Sequence, residues 1–213
     1  MLALLQRFSC TRRAALCLLF TLPFLVTGCA TAPAKTDNIC AIFKEKKRWY
    51  KPASAAAKRW NSPVPVMMAI MHQESRFQHN VRPPRKKYLG FIPGPRPSNA
   101  MGYSQALKST WRSYQKDTGR RRADRTRFSD AIDFVGWYNS QSGKYSSIAS
   151  NDAYNLYLAY HEGHGGFNRR TYNNKAWLKS VAVKVSGRAK TYSVQLAQCE
   201  QSLKKKRWFF GLF

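Results

Sequence analysis

Helical periodicity is the feature that most constrains how this chain can fold. Apolar residues recur at helical spacing, and no segment alternates apolar and polar residues over the length of a useful strand. The clearest stripe covers residues 64–71 and leads directly into Glu74. The sequence therefore predicts a domain that is almost entirely α-helical.

The expected helices are placed by their start and stop signals. Residues 40–60 predict two short helices broken near Pro52, and Asn61-Ser62-Pro63 predicts the start of the helix that carries Glu74. Four later helices are expected. The first covers 105–118 and ends at Gly119, and the second begins at a cap on Ser129. The third runs from a cap on Asp152 to the glycines at 163, 165 and 166, and the last covers 174–203.

The N-terminus has the composition of an export signal. Arg7, Arg12 and Arg13 precede an apolar run of about 13 residues, 14–26, which is short for a membrane span of about 20 residues. A buried core helix is the alternative, but a basic region followed by an apolar run at the start of a chain is typical of export.

The apolar run ends in Val26-Thr27-Gly28-Cys29, which resembles the bacterial lipobox. The resemblance implies cleavage before Cys29 and lipid attachment to that cysteine; the alternative is an ordinary secretory site with an incidental cysteine. Ala30 is not the aspartate that marks inner-membrane lipoproteins, so we expect the outer membrane, with the domain facing the periplasm.

The cysteines then separate into groups. Cys10 and Cys17 lie in the signal and Cys29 carries the lipid, so Cys40 and Cys199 remain as an even pair in an oxidising compartment. We predict a disulfide between them. No CxxC or Cys–His spacing suggests zinc, so we expect neither a metal nor another cofactor.

The charge is strongly basic. Lys and Arg number 37 against 10 Asp and Glu, giving a formal net charge of +27, which implies a polyanionic partner. Nucleic acid, anionic lipid and cell wall all fit this charge, but an export signal argues against nucleic acid. A basic, proline-rich loop spans 82–98, in which Tyr88 and Phe91 are candidates for stacking on sugars; a solvated loop is the alternative.

Three ordered motifs carry the chemistry. They are His72-Gln73-Glu74-Ser75-Arg76-Phe77, Ala100-Met101-Gly102-Tyr103-Ser104-Gln105 and Ala159-Tyr160-His161-Glu162-Gly163-His164-Gly165. The set resembles the family-1 lytic transglycosylases (SLT domains), which are related to goose-type lysozyme and whose pattern is Glu-Ser, Gly-Leu-Met-Gln and Ala-Tyr-Asn-x-Gly. The resemblance covers about 61–178 and implies a lysozyme-like all-α fold.

The resemblance also implies roles for single residues. Glu74 would be the catalytic acid and base, oriented by a hydrogen bond from Tyr160, and peptidoglycan would be the substrate. Gly102 would let the backbone approach the sugar, Gln105 would line the groove, and Ser75 would steady the catalytic turn. Cleavage of the MurNAc–GlcNAc bond would leave 1,6-anhydromuramic ends.

Two motifs depart from the family pattern. Tyr103-Ser104 replaces Leu-Met, and His161 replaces Asn, with Glu162 as an additional carboxylate. We include Tyr103, His161 and Glu162 among the expected substrate-binding residues. Glu162 is either a second catalytic group or a solvated or Arg-paired residue. A lysozyme-like hydrolase, or a weakly active or inactive peptidoglycan-binding lipoprotein, is the alternative function.

The expected organisation is therefore a signal peptide over 1–28, a tether over 29–39, a lysozyme-like domain over 40–203 and a basic, aromatic tail over 204–213. The tail is either an interfacial membrane contact or a segment packed on the domain.

Overall fold

The structure is a computed structural model that describes residues 31–205. Within that range seven helices and one short hairpin follow in the order α1 (Ile39–Glu45), α2 (Tyr50–Trp60), α3 (Val64–Ser75), β1 (Lys87–Tyr88), β2 (Ile92–Pro93), α4 (Lys108–Thr118), α5 (Phe128–Ser146), α6 (Ala153–Asn168) and α7 (Ala176–Lys205). The predicted all-α class is confirmed. The predicted signal peptide, Cys29 and most of the tail lie outside the described residues.

Helix α3 is the central helix of the domain. Its residues 66–72 are all buried, so it is apolar around its whole circumference rather than along one stripe. It packs against α2, α5, α6 and α7, while α7 also packs on α1 and α6. The sequence run that leads into Glu74 therefore forms the core of the fold.

A buried polar network holds α4 against α5. Asp133 accepts hydrogen bonds from the Trp60 indole at 3.0 Å and the Tyr114 hydroxyl at 2.6 Å. Arg120 reaches both Asp133, at 2.8 Å, and the neighbouring Asp130, at 2.6 Å. Because these carboxylates are paired and hydrogen-bonded, their burial is compensated.

Several predicted helix boundaries are wrong. The break between the first two helices lies at residues 46–49, and Pro52 sits in the first turn of α2, where its missing N–H is tolerated. Helix α4 begins at Lys108 rather than at Gln105, whose φ of 46° is left-handed. Helix α5 begins at Phe128, so Ser129 does not cap it.

Helix α6 begins as predicted, because the Asp152 side chain accepts from the Asn155 N–H. Its predicted end is wrong. Gly163 interrupts the helix with φ 72° and ψ 158°, but the chain resumes helical geometry and continues to Asn168.

The loop at 82–98 contains a secondary structure that the sequence did not indicate. Lys87 pairs with Pro93 and Tyr88 with Ile92 in an antiparallel two-stranded hairpin. Leu89 and Gly90 form its turn with φ values of 51° and 79°. The Tyr88 and Phe91 side chains are exposed.

The disulfide between Cys40 and Cys199 is present and joins α1 to α7. It agrees with the pairing predicted from the cysteine count. The two residues are 159 positions apart, so the bond encloses almost the whole described domain. A cross-link over so long a loop restricts the unfolded chain strongly.

Replacing both Cys40 and Cys199 by serine is expected to lower the free energy of unfolding by about 2–5 kcal/mol and Tm by roughly 5–20 °C. Thermal unfolding followed by circular dichroism checks this. Reductant should have no further effect on the double variant. An unchanged Tm in that variant would contradict the stabilising role of the bond.

Candidate active site

Glu74 occupies the last turn of α3, one residue before the helix ends. Its side chain is only partly exposed, and the adjoining Met71 and Ser75 are buried. Burial disfavours the ionised carboxylate and raises the pKa of Glu74 to about 7, against a hydrogen bond from Tyr157 that lowers it. The group can therefore hold a proton near neutral pH and also release it.

The chain reverses sharply after Glu74. Arg76 and Phe77 both adopt left-handed backbone geometry, with φ of 49° and 61°, and Phe77 is fully buried. Ser75 anchors this turn, because its hydroxyl donates to the Tyr103 carbonyl oxygen at 2.7 Å. The first motif is thus tied directly to the second, in line with the steadying role expected of Ser75.

Glycine is required at position 102 by its backbone conformation and by a close neighbouring backbone segment. Its φ is +80°, and a Cβ placed there would lie 2.1 Å from the Arg125 carbonyl oxygen. Its N–H donates to the Val81 carbonyl at 2.9 Å. The close approach in this structure is therefore made by the protein's own backbone, while close sugar contact at Gly102 stays an expectation.

Tyr103 is a core residue. It is 2% exposed and meets the rings of Trp49 and Phe128 edge-on, at 5.6 and 5.8 Å between centroids. Those two rings stack on each other at 3.9 Å. The expectation that Tyr103 contacts substrate is corrected, because this cluster covers its ring.

Gln105 supports the second motif from within. Its side-chain amide donates to the carbonyl oxygens of Val81 and Gly102, at 2.9 and 2.8 Å. The residue is partly exposed. Its nitrogen therefore stabilises the turn, while a position lining the groove remains an expectation.

Tyr157 and Tyr160 both lie near Glu74, but their hydroxyl groups differ in what they do. Burial and the nearby Glu74 raise the pKa of both tyrosines, and the Tyr157 hydroxyl is the one that lowers the pKa of Glu74 by hydrogen bonding. The Tyr160 hydroxyl instead donates to the Ser104 carbonyl at 2.7 Å. The expected Tyr160–Glu74 hydrogen bond is therefore corrected.

Tyr157 was not among the expected site residues, although the sequence contained a signal for it. Tyr157 lies three residues before Tyr160 on α6, and residues three apart on a helix occupy neighbouring positions on its surface. A search for every tyrosine on the Tyr160 face would have included it.

Glu162 is engaged in an ion-paired cluster. Its side chain is 4% exposed, and Lys175 donates to both carboxylate oxygens at 2.8 and 2.9 Å. Thr171 and the His161 ring also bind it, the latter at 3.0 Å. These hydrogen bonds, with the Lys175 charge, lower the pKa of Glu162 to about 2 despite its burial. Glu162 is therefore ion-paired, but the arginine partner expected for it is wrong, because the cation is Lys175.

Residues 31–205 show neither a metal-binding cluster nor a membrane-spanning helix. No group of three or more His, Cys, Asp or Glu side chains in this range is arranged to hold a metal ion. None of the helices in this range is long and apolar enough to cross a bilayer.

Tyr157→Phe is expected to raise the pKa of Glu74 above its value of about 7, because the lost hydrogen bond stabilises the carboxylate. Tyr160→Phe is the matched control and should leave that pKa nearly unchanged. Carboxyl-carbon NMR titration is suited to this measurement, since the chain has only four glutamates. The opposite pattern, a shift in Tyr160→Phe alone, would contradict the assignment.

A comparison with known protein families covers most of the chain. No curated protein sequence was found to match the chain. A family model described as "Transglycosylase SLT domain" matches residues 17–199, which is most of the chain and includes all three motifs. The mostly helical structure agrees with that match, and the chain belongs to the transglycosylase SLT domain family.

Proposed function

We propose that this protein is a lytic transglycosylase that cleaves the β-1,4 bond between MurNAc and GlcNAc in peptidoglycan, with Glu74 as its catalytic residue. Membership of the SLT family supports a transglycosylase-type enzyme that acts on peptidoglycan. The observation that carries the finer proposal is the partly buried Glu74 carboxyl, whose pKa of about 7 allows it to act first as an acid and then as a base.

The proton of Glu74 moves to the glycosidic oxygen as the bond from that oxygen to C1 of MurNAc breaks. The GlcNAc fragment leaves with that proton. The 6-hydroxyl of the same MurNAc then attacks C1, and the Glu74 carboxylate accepts the hydroxyl proton. The product is a 1,6-anhydro ring, and the enzyme recovers its starting protonation state without consuming water.

Tyr157 stabilises Glu74 in the part of this cycle in which the carboxylate is ionised. Its hydroxyl donates to Glu74, and such a bond favours the carboxylate that exists after the proton has left. Burial favours the neutral acid that exists before. These two opposed effects keep the pKa of Glu74 near neutral, where it can both donate a proton and accept one.

The state of Glu162 supports a mechanism with one carboxylate. Many glycosidases place two carboxyl groups across the scissile bond. Here the carboxylate added by the third motif is bound by Lys175, Thr171 and His161. It is therefore poorly suited to activate water, which favours the transglycosylase over the hydrolase.

Glu74→Gln is expected to abolish the release of anhydromuropeptides from purified sacculi, because glutamine cannot donate or accept the proton. Glu45→Gln, a change of the same kind on α1, should retain full activity. Mass spectrometry of the soluble products checks both.

Reducing-end muramic acid from the wild type would instead indicate a lysozyme-like hydrolase. Binding to sacculi without any soluble product would indicate a binding protein. Either result would contradict the transglycosylase proposal.

We further propose that the protein is anchored in the outer membrane by lipid on Cys29 and faces the periplasm. The support is the sequence alone: the apolar run 14–26, the Val26-Thr27-Gly28-Cys29 segment and Ala30. Two acyl chains suffice to hold a soluble domain at a bilayer.

Expression in a Gram-negative host with a labelled fatty acid is expected to label the protein and to place it in the outer-membrane fraction. Cys29→Ser should prevent labelling, whereas Cys40→Ser should not. Label that persists in Cys29→Ser would contradict the anchor assignment.

A further inference from the structure

Trp177 is a large apolar side chain left open to solvent. It lies in the first turn of α7 and is 57% exposed. Its indole meets the His161 ring edge-to-face, with centroids 5.2 Å apart and planes at 79°. The tryptophan is therefore exposed but packs against an aromatic neighbour on one side.

A chain of contacts fixes His161 in turn. Its Nδ1 lies 3.0 Å from the Glu162 carboxylate. Glu162 is almost fully buried and is bound by Thr171 and by Lys175. Lys175 lies two residues before Trp177, so the contacts form a closed support from the α6–α7 connection back to the indole.

Two relations connect this support with the elements around Glu74. His161 lies one helical turn after Tyr157, whose hydroxyl lowers the pKa of Glu74. Trp177 lies one turn before Val181 on α7, and Val181 lines a cavity together with Gln73 and Arg76, which flank Glu74 in the chain. Both α6 and α7, whose residues form this support, pack against α3, the helix that carries Glu74.

We propose that Trp177 is a stacking platform for an N-acetylated sugar ring of the glycan strand, on one side of Glu74. An indole face covers a large apolar area at little cost in conformational entropy and suits the C–H face of a pyranose. His161 and Glu162 act as positioning residues for Trp177. The proposal rests on the proposed glycan-strand substrate and gives a role to His161, by which the third motif departs from the family pattern, and to the neighbouring Glu162.

Calorimetric binding of a soluble N-acetylglucosamine oligomer tests the platform. The full chain carrying Glu74→Gln, kept in detergent, is the parent, so that no turnover occurs. Adding Trp177→Ala is expected to weaken binding about tenfold, and Trp177→Phe should stay within about threefold of the parent. Val194→Ala, another exposed apolar site on α7, should bind like the parent.

Glu162→Gln tests the positioning role. It should weaken binding by a smaller factor, and the double variant with Trp177→Ala should bind no more weakly than Trp177→Ala alone. Additive losses would show that Glu162 acts elsewhere and would overturn its part of the proposal.

Unchanged affinity in Trp177→Ala would overturn the platform itself. If Trp177→Ala kept its oligomer affinity but lost binding to anionic phospholipid vesicles, the indole would contact lipid rather than sugar. That result would also overturn the platform. These outcomes are separable from failure of the proposed function: weaker oligomer binding in Trp177→Ala supports the platform even if wild-type protein releases no anhydromuropeptide.

Discussion

The burial of one carboxyl group at the end of the central helix is the constraint on which the rest of this structure depends. Helix α3 is enclosed on all sides, so its last turn carries Glu74 out of the core and into the site with little freedom to relax. Partial burial keeps the acid protonated near neutral pH, and the Tyr157 hydroxyl limits how far its pKa rises. The same packing that stabilises the fold thus sets the chemistry of the site.

The second motif connects the other two through its backbone. Two consecutive carbonyl oxygens, those of Tyr103 and Ser104, accept hydroxyl hydrogen bonds from Ser75 on α3 and from Tyr160 on α6. Gly102 allows this segment to press against the Arg125 backbone, where a side chain would clash. The relative placement of Glu74 and α6 is therefore held by main-chain contacts of a segment whose side chains face the core.

Much of the fold could be predicted from the sequence because helical periodicity is a local property. The apolar run into Glu74, the Asp152 cap and the Cys40–Cys199 pairing all followed from residue type and spacing. The kink at Gly163 did not, because a glycine permits an interruption without deciding whether the helix resumes after it.

The site was harder to predict because its contacts join distant parts of the chain. Spacing alone put Tyr157 and Tyr160 on related faces of α6, but which hydroxyl meets the acid depends on the position of the Ser104 carbonyl. A positive φ at Gly102 was foreseeable, whereas its neighbour Arg125 was not. Likewise the partner of Glu162 is Lys175, a residue outside the motifs.

The pH dependence of the stability difference between wild type and Glu74→Gln tests most directly whether burial keeps Glu74 protonated. The folded-state pKa of Glu74 is about 7 against an ordinary glutamate value of 4.5, so the folded protein retains a proton that the unfolded chain has lost between those pH values. Wild-type stability should therefore fall relative to Glu74→Gln as pH rises through that window, by about 3 kcal/mol in total, at about 1.4 kcal/mol per pKa unit. Chemical denaturation of both proteins from pH 4 to pH 8 gives this difference, and a difference that stays constant with pH would contradict the account.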